Sequence, residues 1–268
     1  MDRLSRALEM AKGKQSRAKQ EIEQAPTRVA EEALIKNIRT INVPQPVLRR
    51  NRVITTLEDG RIVDSYKLLR TRVLRAMQQN GWNTLGVTSA GPNVGKTLTS
   101  VNLAISISLK DNLSAMVVDT DLRRPSVHSI FEIHPDFGLE DYLAGKASIP
   151  SLLINPGIEH FSLLPNKGSR DGASSELLGS PRMLQLVDEI KAHFAQQIVI
   201  FDLPPVLVGD DVVAFAPHLD AVLVVIEDGK TQTPELTHTF ELMSEINILG
   251  TVLNKSNDAL KNMEYYYY

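Results

Sequence analysis

The spacing of hydrophobic and polar residues changes near residue 61. Before it, Lys, Arg, Gln and Glu dominate, and apolar residues gather only in short patches such as Ala33, Leu34 and Ile35. Pro44 and Pro46 interrupt any helix and favour extended backbone. Residues 1–61 therefore read as a helical arm followed by a linker. Leu4, Ala7, Leu8 and Ala11 share one face of the first helix, among Arg3, Arg6, Lys12 and Lys14. That face fits a segment docking on a partner or a membrane surface, and it also fits a solvated arm, the simpler reading. Beyond Arg61, short apolar runs at 85–88, 115–118, 161–164, 198–201, 221–226 and 250–253 have the length and composition of buried strands. Between most of them lie helical patterns, at 97–109, 181–194 and 234–246. A further helix over 64–79 lines up Tyr66, Leu69, Val73 and Met77 on one stripe. Strand and helix in alternation predict an α/β fold with a mostly parallel sheet covered on both faces.

Composition narrows the possibilities. A chain of 268 residues with 43% hydrophobic content can fill one sizeable core. A net charge of -3 gives no reason to expect a nucleic-acid partner. The absence of cysteine removes disulfides, thiolate-bound zinc and cysteine nucleophiles, and fits a reducing cytoplasm. No apolar run approaches the roughly 20 residues that span a bilayer, and the opening segment is too charged for a secretory signal.

Candidate chemistry sits at three strand ends. The first strand runs into Ser89, Ala90, Gly91, Pro92, Asn93, Val94, Gly95, Lys96 and Thr97, with a helix following through Leu98. This is the P-loop arrangement with Ala90 in place of the first glycine. Gly95 lets the backbone wrap so that amide hydrogens face phosphates, and the helix N-terminus adds its positive dipole end. Lys96 would reach the β- and γ-phosphates and the Thr97 hydroxyl would ligate Mg²⁺. The second strand ends in Asp119, Thr120, Asp121, Leu122, Arg123 and Arg124. Carboxylates there lie at the crevice where open α/β sheets bind ligands, although Asp121 could instead cap a turn. Arg123 suits triphosphate oxygens or a neighbouring carboxylate. The third end, Asp202 before Leu203, Pro204 and Pro205, fits a residue that orients the metal through water. Asp210 and Asp211 read as caps of the next helix.

These three blocks resemble the bacterial tyrosine kinase family, which couples to capsule and exopolysaccharide export. The resemblance covers roughly residues 64–257, and the block ending Asp119-Thr120-Asp121-Leu122-Arg123 is its most specific part. It implies a P-loop kinase domain at 62–257, with ATP and Mg²⁺ as cofactors. Lys96, Asp119, Asp121 and Asp202 become the catalytic candidates, and Thr97, Asp121 and Asp202 the metal set. Asp119 would accept the proton of an incoming tyrosine or orient the metal. Gly91 through Leu98, Arg123 and Asn254 become nucleotide contacts, Asn254 beside the adenine. Further similarity lies in Ser174 to Leu178 with Arg182 and Met183, and in Glu227 to Thr231.

Four of the six tyrosines, Tyr265, Tyr266, Tyr267 and Tyr268, close the chain after a polar stretch from 258, and family members commonly end in such a cluster. They are the expected phosphoacceptors. The resemblance also implies a membrane-anchored polysaccharide co-polymerase as activator, a tyrosine phosphatase, and a cytoplasmic protein recruited to the inner face of the membrane. The family's ring-forming E-x-x-R-x-x-R pattern is represented by Asp64, Lys67 and Arg70, with charges matched but geometry altered, so ring self-association is a weaker expectation. Two other readings stand beside autophosphorylation. One is a non-catalytic nucleotide-binding regulator of an export complex, since Asn93 and Val94 replace the family's Gly and Glu. The other is a partition-type switch ATPase, against which Gly91 replaces the early lysine of that group.

Overall fold

The computed structural model describes residues 38–54, 60–110, 113–168 and 177–256. The first-helix stripe, Ser174 to Glu176 and the four terminal tyrosines lie outside these residues. Among the described residues, eight strands form one sheet: β1 (Arg39–Thr40), β2 (Thr84–Ser89), β3 (Ser114–Asp119), β4 (Ile154–Asn155), β5 (Phe161–Leu164), β6 (Gln197–Asp202), β7 (Ala221–Glu227) and β8 (Ile248–Asn254). Their spatial order is β1-β4-β5-β3-β6-β2-β7-β8. Among the described residues, only β4 and β5 pair antiparallel. The helices are α1 (Gln45–Arg50), α2 (Arg61–Asn80), α3 (Lys96–Ser108), α4 (Val127–Ile130), α5 (Leu139–Leu143), α6 (Ile149–Leu152), α7 (Pro181–His193), α8 (Asp211–Phe215) and α9 (Thr233–Leu242). The fold is thus the expected α/β arrangement with helices on both faces.

The continuous apolar runs are explained by burial on both sides of the sheet. Val117 of β3 packs with Val73 and Met77 of α2 and Val101 of α3. Its neighbours Met116 and Val118 face the other way, toward Met183 and Leu186 of α7. Each such side chain contributes about 1.5–3 kcal/mol on burial. Helix α3 is buried over most of its length because it lies between the sheet and α2. Among the described residues, no helix is long and apolar enough to cross a membrane.

One segment differs from its expected linker character. Residues 39–54 carry β1 and α1, with Leu48, Val53 and Ile54 buried in the core. Pro46 falls in the first turn of α1, where its missing N–H breaks no helical hydrogen bond, so the proline starts a helix instead of preventing one. Asn102 of α3 fastens the segment: its Oδ1 accepts from Ile54 N at 3.0 Å and its Nδ2 donates to Arg52 O at 3.0 Å. The predicted helix over 64–79 spans Arg61–Asn80, and that over 234–246 ends earlier, at Leu242.

Candidate nucleotide and phosphotransfer site

Parallel pairing brings the three acidic and glycine-rich strand ends together. β6 lies between β3 and β2, with Asp119 opposite Asp202 and Asp202 opposite Val87 in register. All three strands run the same way, so their carboxyl ends open on one edge. Cross-bonds fix the edge: Thr120 Oγ1 donates to Asp202 O at 2.7 Å, and Thr88 Oγ1 donates to Pro204 O at 2.6 Å.

Lys96, at the first position of α3, extends its ammonium to 3.1 Å from Asp121 Oδ2 and 3.7 Å from Asp202 Oδ2. Thr97 Oγ1 donates to Asp202 Oδ2 at 2.7 Å, and Ser100 Oγ donates to Asp202 Oδ1 at 3.0 Å. Burial works against the Lys96 ammonium, but Asp202 and then Asp121 outweigh it and hold Lys96 above its usual range. Burial pushes Asp202 up, against the opposing pull of Lys96. Asp119 is pushed well up, first by burial and then by Asp202.

Asp119 is fully buried, and its carboxylate accepts from the backbone N–H groups of Ser126 and Val127, both at 2.9 Å, and of Asp121 at 3.3 Å. These contacts hold the turn that enters α4. Proton acceptance from an incoming hydroxyl would require that turn to move. Asp121 Oδ1 accepts from Arg124 N at 2.9 Å, as a turn cap would, while Oδ2 meets Lys96.

The loop from Gly91 to Gly95 turns through left-handed backbone at Asn93 and Gly95. Gly95 (φ 97°) is the N-cap of α3, and no side chain caps that helix. Its first amides therefore lack intrahelical acceptors and are available to an anion. Asn254, expected beside adenine, donates from Nδ2 to Val94 O at 2.8 Å. A Cβ on Gly95 would lie 2.2 Å from that nitrogen. Leu98, Asn254, Tyr66 and Asn102 line a groove of about 510 Å³ beside the loop, apolar enough for a flat base. Pro92 and Asn93 are exposed at the loop's tip.

Arg123 pairs with Asp211, Nη2 to Oδ2 at 3.2 Å, rather than with a carboxylate of the cluster. Asp210 stands at the expected N-cap of α8 but makes no side-chain capping bond, and the cap reading of Asp211 is corrected by its contact with Arg123. Asp64 and Lys67 pair with each other on α2 at 3.0 Å, and Arg70 Nη1 donates to Ser106 O at 2.7 Å. Sequence reasoning missed Ser100, which lies one helical turn beyond Lys96 on the side facing β6. It also missed Ser126, whose hydroxyl lies 3.1 Å from Thr97 Oγ1. Lys255, a third omission, donates to Asn93 O at 2.6 Å while pairing with Glu227 at 3.0 Å.

No protein-family model matches the chain. The tyrosine-protein kinase etk of Escherichia coli K12 is 31% identical over 194 residues, covering 72% of this chain and 26% of that protein. The tyrosine-protein kinase YwqD of Bacillus subtilis is 29% identical over 223 residues, covering 82% of this chain and 92% of its own length. The solved kinase domain of Escherichia coli tyrosine kinase ETK superposes with a TM-score of 0.66 at 28% identity, covering 82% of this chain and 91% of that domain. The chain is a homologue of the bacterial tyrosine kinases. It spans about a quarter of the length of etk, and nearly all of YwqD.

Homology to kinase domains implies use of ATP and Mg²⁺ in general, and the residues of this homologue fit both. Among the described residues, no three His, Cys, Asp or Glu side chains form a metal cage. Mg²⁺ keeps several waters and takes one or two protein ligands besides phosphate, so Thr97 and Asp202 form a sufficient donor set. The glycine backbone at Gly95, the uncapped amides of α3 and the Lys96 ammonium make a cradle for phosphate.

Proposed function

We propose that the chain is an ATP-dependent protein-tyrosine autokinase that phosphorylates its terminal tyrosines and thereby regulates exopolysaccharide or capsule export. The observation that carries the reading is the convergence of Lys96, Asp119, Asp121 and Asp202 at one edge of the sheet, beside an uncapped helix N-terminus. In this reading the tyrosine oxygen forms a bond to the γ-phosphorus, the bond from that phosphorus to the β,γ-bridging oxygen breaks, and ADP leaves. The loop amides and Lys96 bind the phosphates, and Thr97 and Asp202 would hold Mg²⁺, which supplies charge neutralisation across the phosphate oxygens when bound. Asp121 keeps Lys96 protonated and aimed, and Asp119 fixes the turn that carries Asp121. The acceptor's proton passes to solvent or to a site carboxylate, for which the raised proton affinity of Asp119 is suited once its turn opens. A membrane-anchored co-polymerase would recruit the protein to the inner face of the membrane and activate it, with a tyrosine phosphatase reversing the modification and self-association presenting one copy's tail to another.

The test is mass spectrometry after incubation with ATP and Mg²⁺, with and without a membrane partner. Phosphotyrosine confined to Tyr265 through Tyr268, and absent from Lys96→Met, is the expected result. Tyrosines left unmodified under both conditions, in a protein that binds ATP, would identify a non-catalytic nucleotide-binding regulator instead.

A further inference from the structure

Two loops border the phosphate cradle on the side away from β8. One follows β3 and carries Asp121 and Arg123. The other follows β6 and is tied to the P-loop, because Leu207 N donates to Ala90 O at 3.1 Å. The Arg123–Asp211 ion pair joins the first loop to the start of α8, just beyond the second. Its two ends differ in surroundings: the Asp211 side chain is 3% exposed and that of Arg123 41%. Gly209 makes room for the pair, since a Cβ there would lie 2.8 Å from Asp211 Oδ2 and 3.2 Å from Arg123 Nη2. Asp211 Oδ1 is buried without a hydrogen-bond partner among the described residues.

A buried carboxylate with one oxygen unsatisfied and the other paired to a half-exposed arginine is a poor stabilising device. It is a good way to hold a guanidinium still. Arginine has five N–H donors in a fixed fork, so one contact to Asp211 leaves donors for an anion, with less side-chain entropy to lose on binding. The strand order identifies which part of a nucleotide they would meet. Asn254 and Leu98 lie toward β7 and β8, on the groove side of the P-loop. Arg123 lies across the P-loop, two residues beyond the carboxylate that pairs with Lys96. Lys96 marks the β,γ end of the chain of phosphates.

We propose that Asp211 is a positioning residue, holding the Arg123 guanidinium at the rim of the cradle to receive the terminal phosphoryl oxygens of the nucleotide. The inference rests on the ATP-binding reading above. Its signature is selectivity between ATP and ADP, which a purely structural role would not alter.

The experiment is titration calorimetry of the full chain with ATP and with ADP, each with Mg²⁺, for wild type, Arg123→Ala, Arg123→Lys, Asp211→Asn and Asp211→Glu, with thermal unfolding as a check on folding. Arg123→Ala and Asp211→Asn should weaken ATP roughly tenfold or more, as expected for a lost hydrogen bond to a charged group, while ADP changes by less than about threefold. Asp211→Glu should recover part of the preference for ATP, and the Arg123→Ala/Asp211→Asn double variant should be no weaker than Arg123→Ala alone. Equal weakening of both nucleotides, or an unchanged ATP-to-ADP ratio, overturns the proposal. Should Asp211→Asn not fold, Arg123→Lys decides: it keeps the charge but lacks the fork, and an undiminished ATP preference there also overturns it. Absence of ATP binding by the wild type would remove the parent reading along with this one, whereas ATP binding with a ratio indifferent to Arg123 removes this one alone.

Discussion

Replacing Gly95 with alanine tests the geometry of the cradle most directly. The φ of 97° is left-handed, and an L-residue there costs about 1–2 kcal/mol. The added methyl would also lie 2.2 Å from Asn254 Nδ2. Asn254 would have to swing away and give up its 2.8 Å bond to Val94 O, a net loss of about 1 kcal/mol. The sum, about 2–3 kcal/mol, corresponds to a fall in Tm of about 4–12 °C for a domain of this size. Asn254→Ala alone should cost about 1 kcal/mol, because it removes only the hydrogen bond. In the double variant that bond is lost once, so the total should stay at about 2–3 kcal/mol, not the 3–4 kcal/mol of simple addition. Chemical denaturation of the four proteins measures the cycle, and ATP titration should show weaker binding in both Gly95 variants. Additivity to within about 0.3 kcal/mol would refute the claim that the two residues compete for one space.

Three further outcomes are expected. Leu48→Ala should destabilise the fold by about 2–5 kcal/mol in urea unfolding, since Leu48 is 2% exposed; a loss below about 1 kcal/mol would show that α1 is not part of the core. Thr97→Val should abolish the Mg²⁺ dependence of ATP binding while Thr97→Ser retains it, and equal behaviour of the two in calorimetry would remove the hydroxyl from the metal set. Burial pushes Asp220 up, but Lys191 and the backbone amides of Thr84 and Asn83 outweigh it, so its folded value is depressed below the usual 3.8. Its stability contribution is therefore present above that value and lost as pH falls through the folded one. The difference in unfolding free energy between wild type and Asp220→Asn should be largest near about pH 7 and shrink below about pH 4; a difference that grows on acidification contradicts the assignment.

The sequence was most legible where one physical rule acted alone. Short apolar runs located all six longer strands; in the central ones burial on both faces leaves few polar positions, whereas the edge strand β8 is partly exposed and was found by composition alone. The short β1 and β4 escaped, since two residues carry no periodicity. α1 was hidden by prolines that break a helix interior but suit its first turn. In the site, Lys96 and Thr97 announced themselves by the glycine-loop pattern before a helix, Asp121 and Asp202 by position at or just beyond strand ends, and their meeting follows from parallel order. Asp211 did not, because an acidic pair before a short helix reads as a cap until the distant Arg123 is seen beside it. Ser100 and Lys255 were invisible for the same reason: their partners lie far away in sequence, and serine and lysine occur everywhere on protein surfaces.

The cluster at the strand ends holds one ammonium among three carboxylates. Even with Asp119 protonated, Asp121 and Asp202 outnumber the single ammonium, and a bare triphosphate approaching them would be repelled even though the loop amides invite phosphate. A nucleotide that brings its own cation carries less net negative charge and meets less of that repulsion. Under the ATP-binding proposal, the magnesium complex would therefore be favoured over uncomplexed ATP, and the free magnesium level, as well as the nucleotide level, would set how often the site is filled.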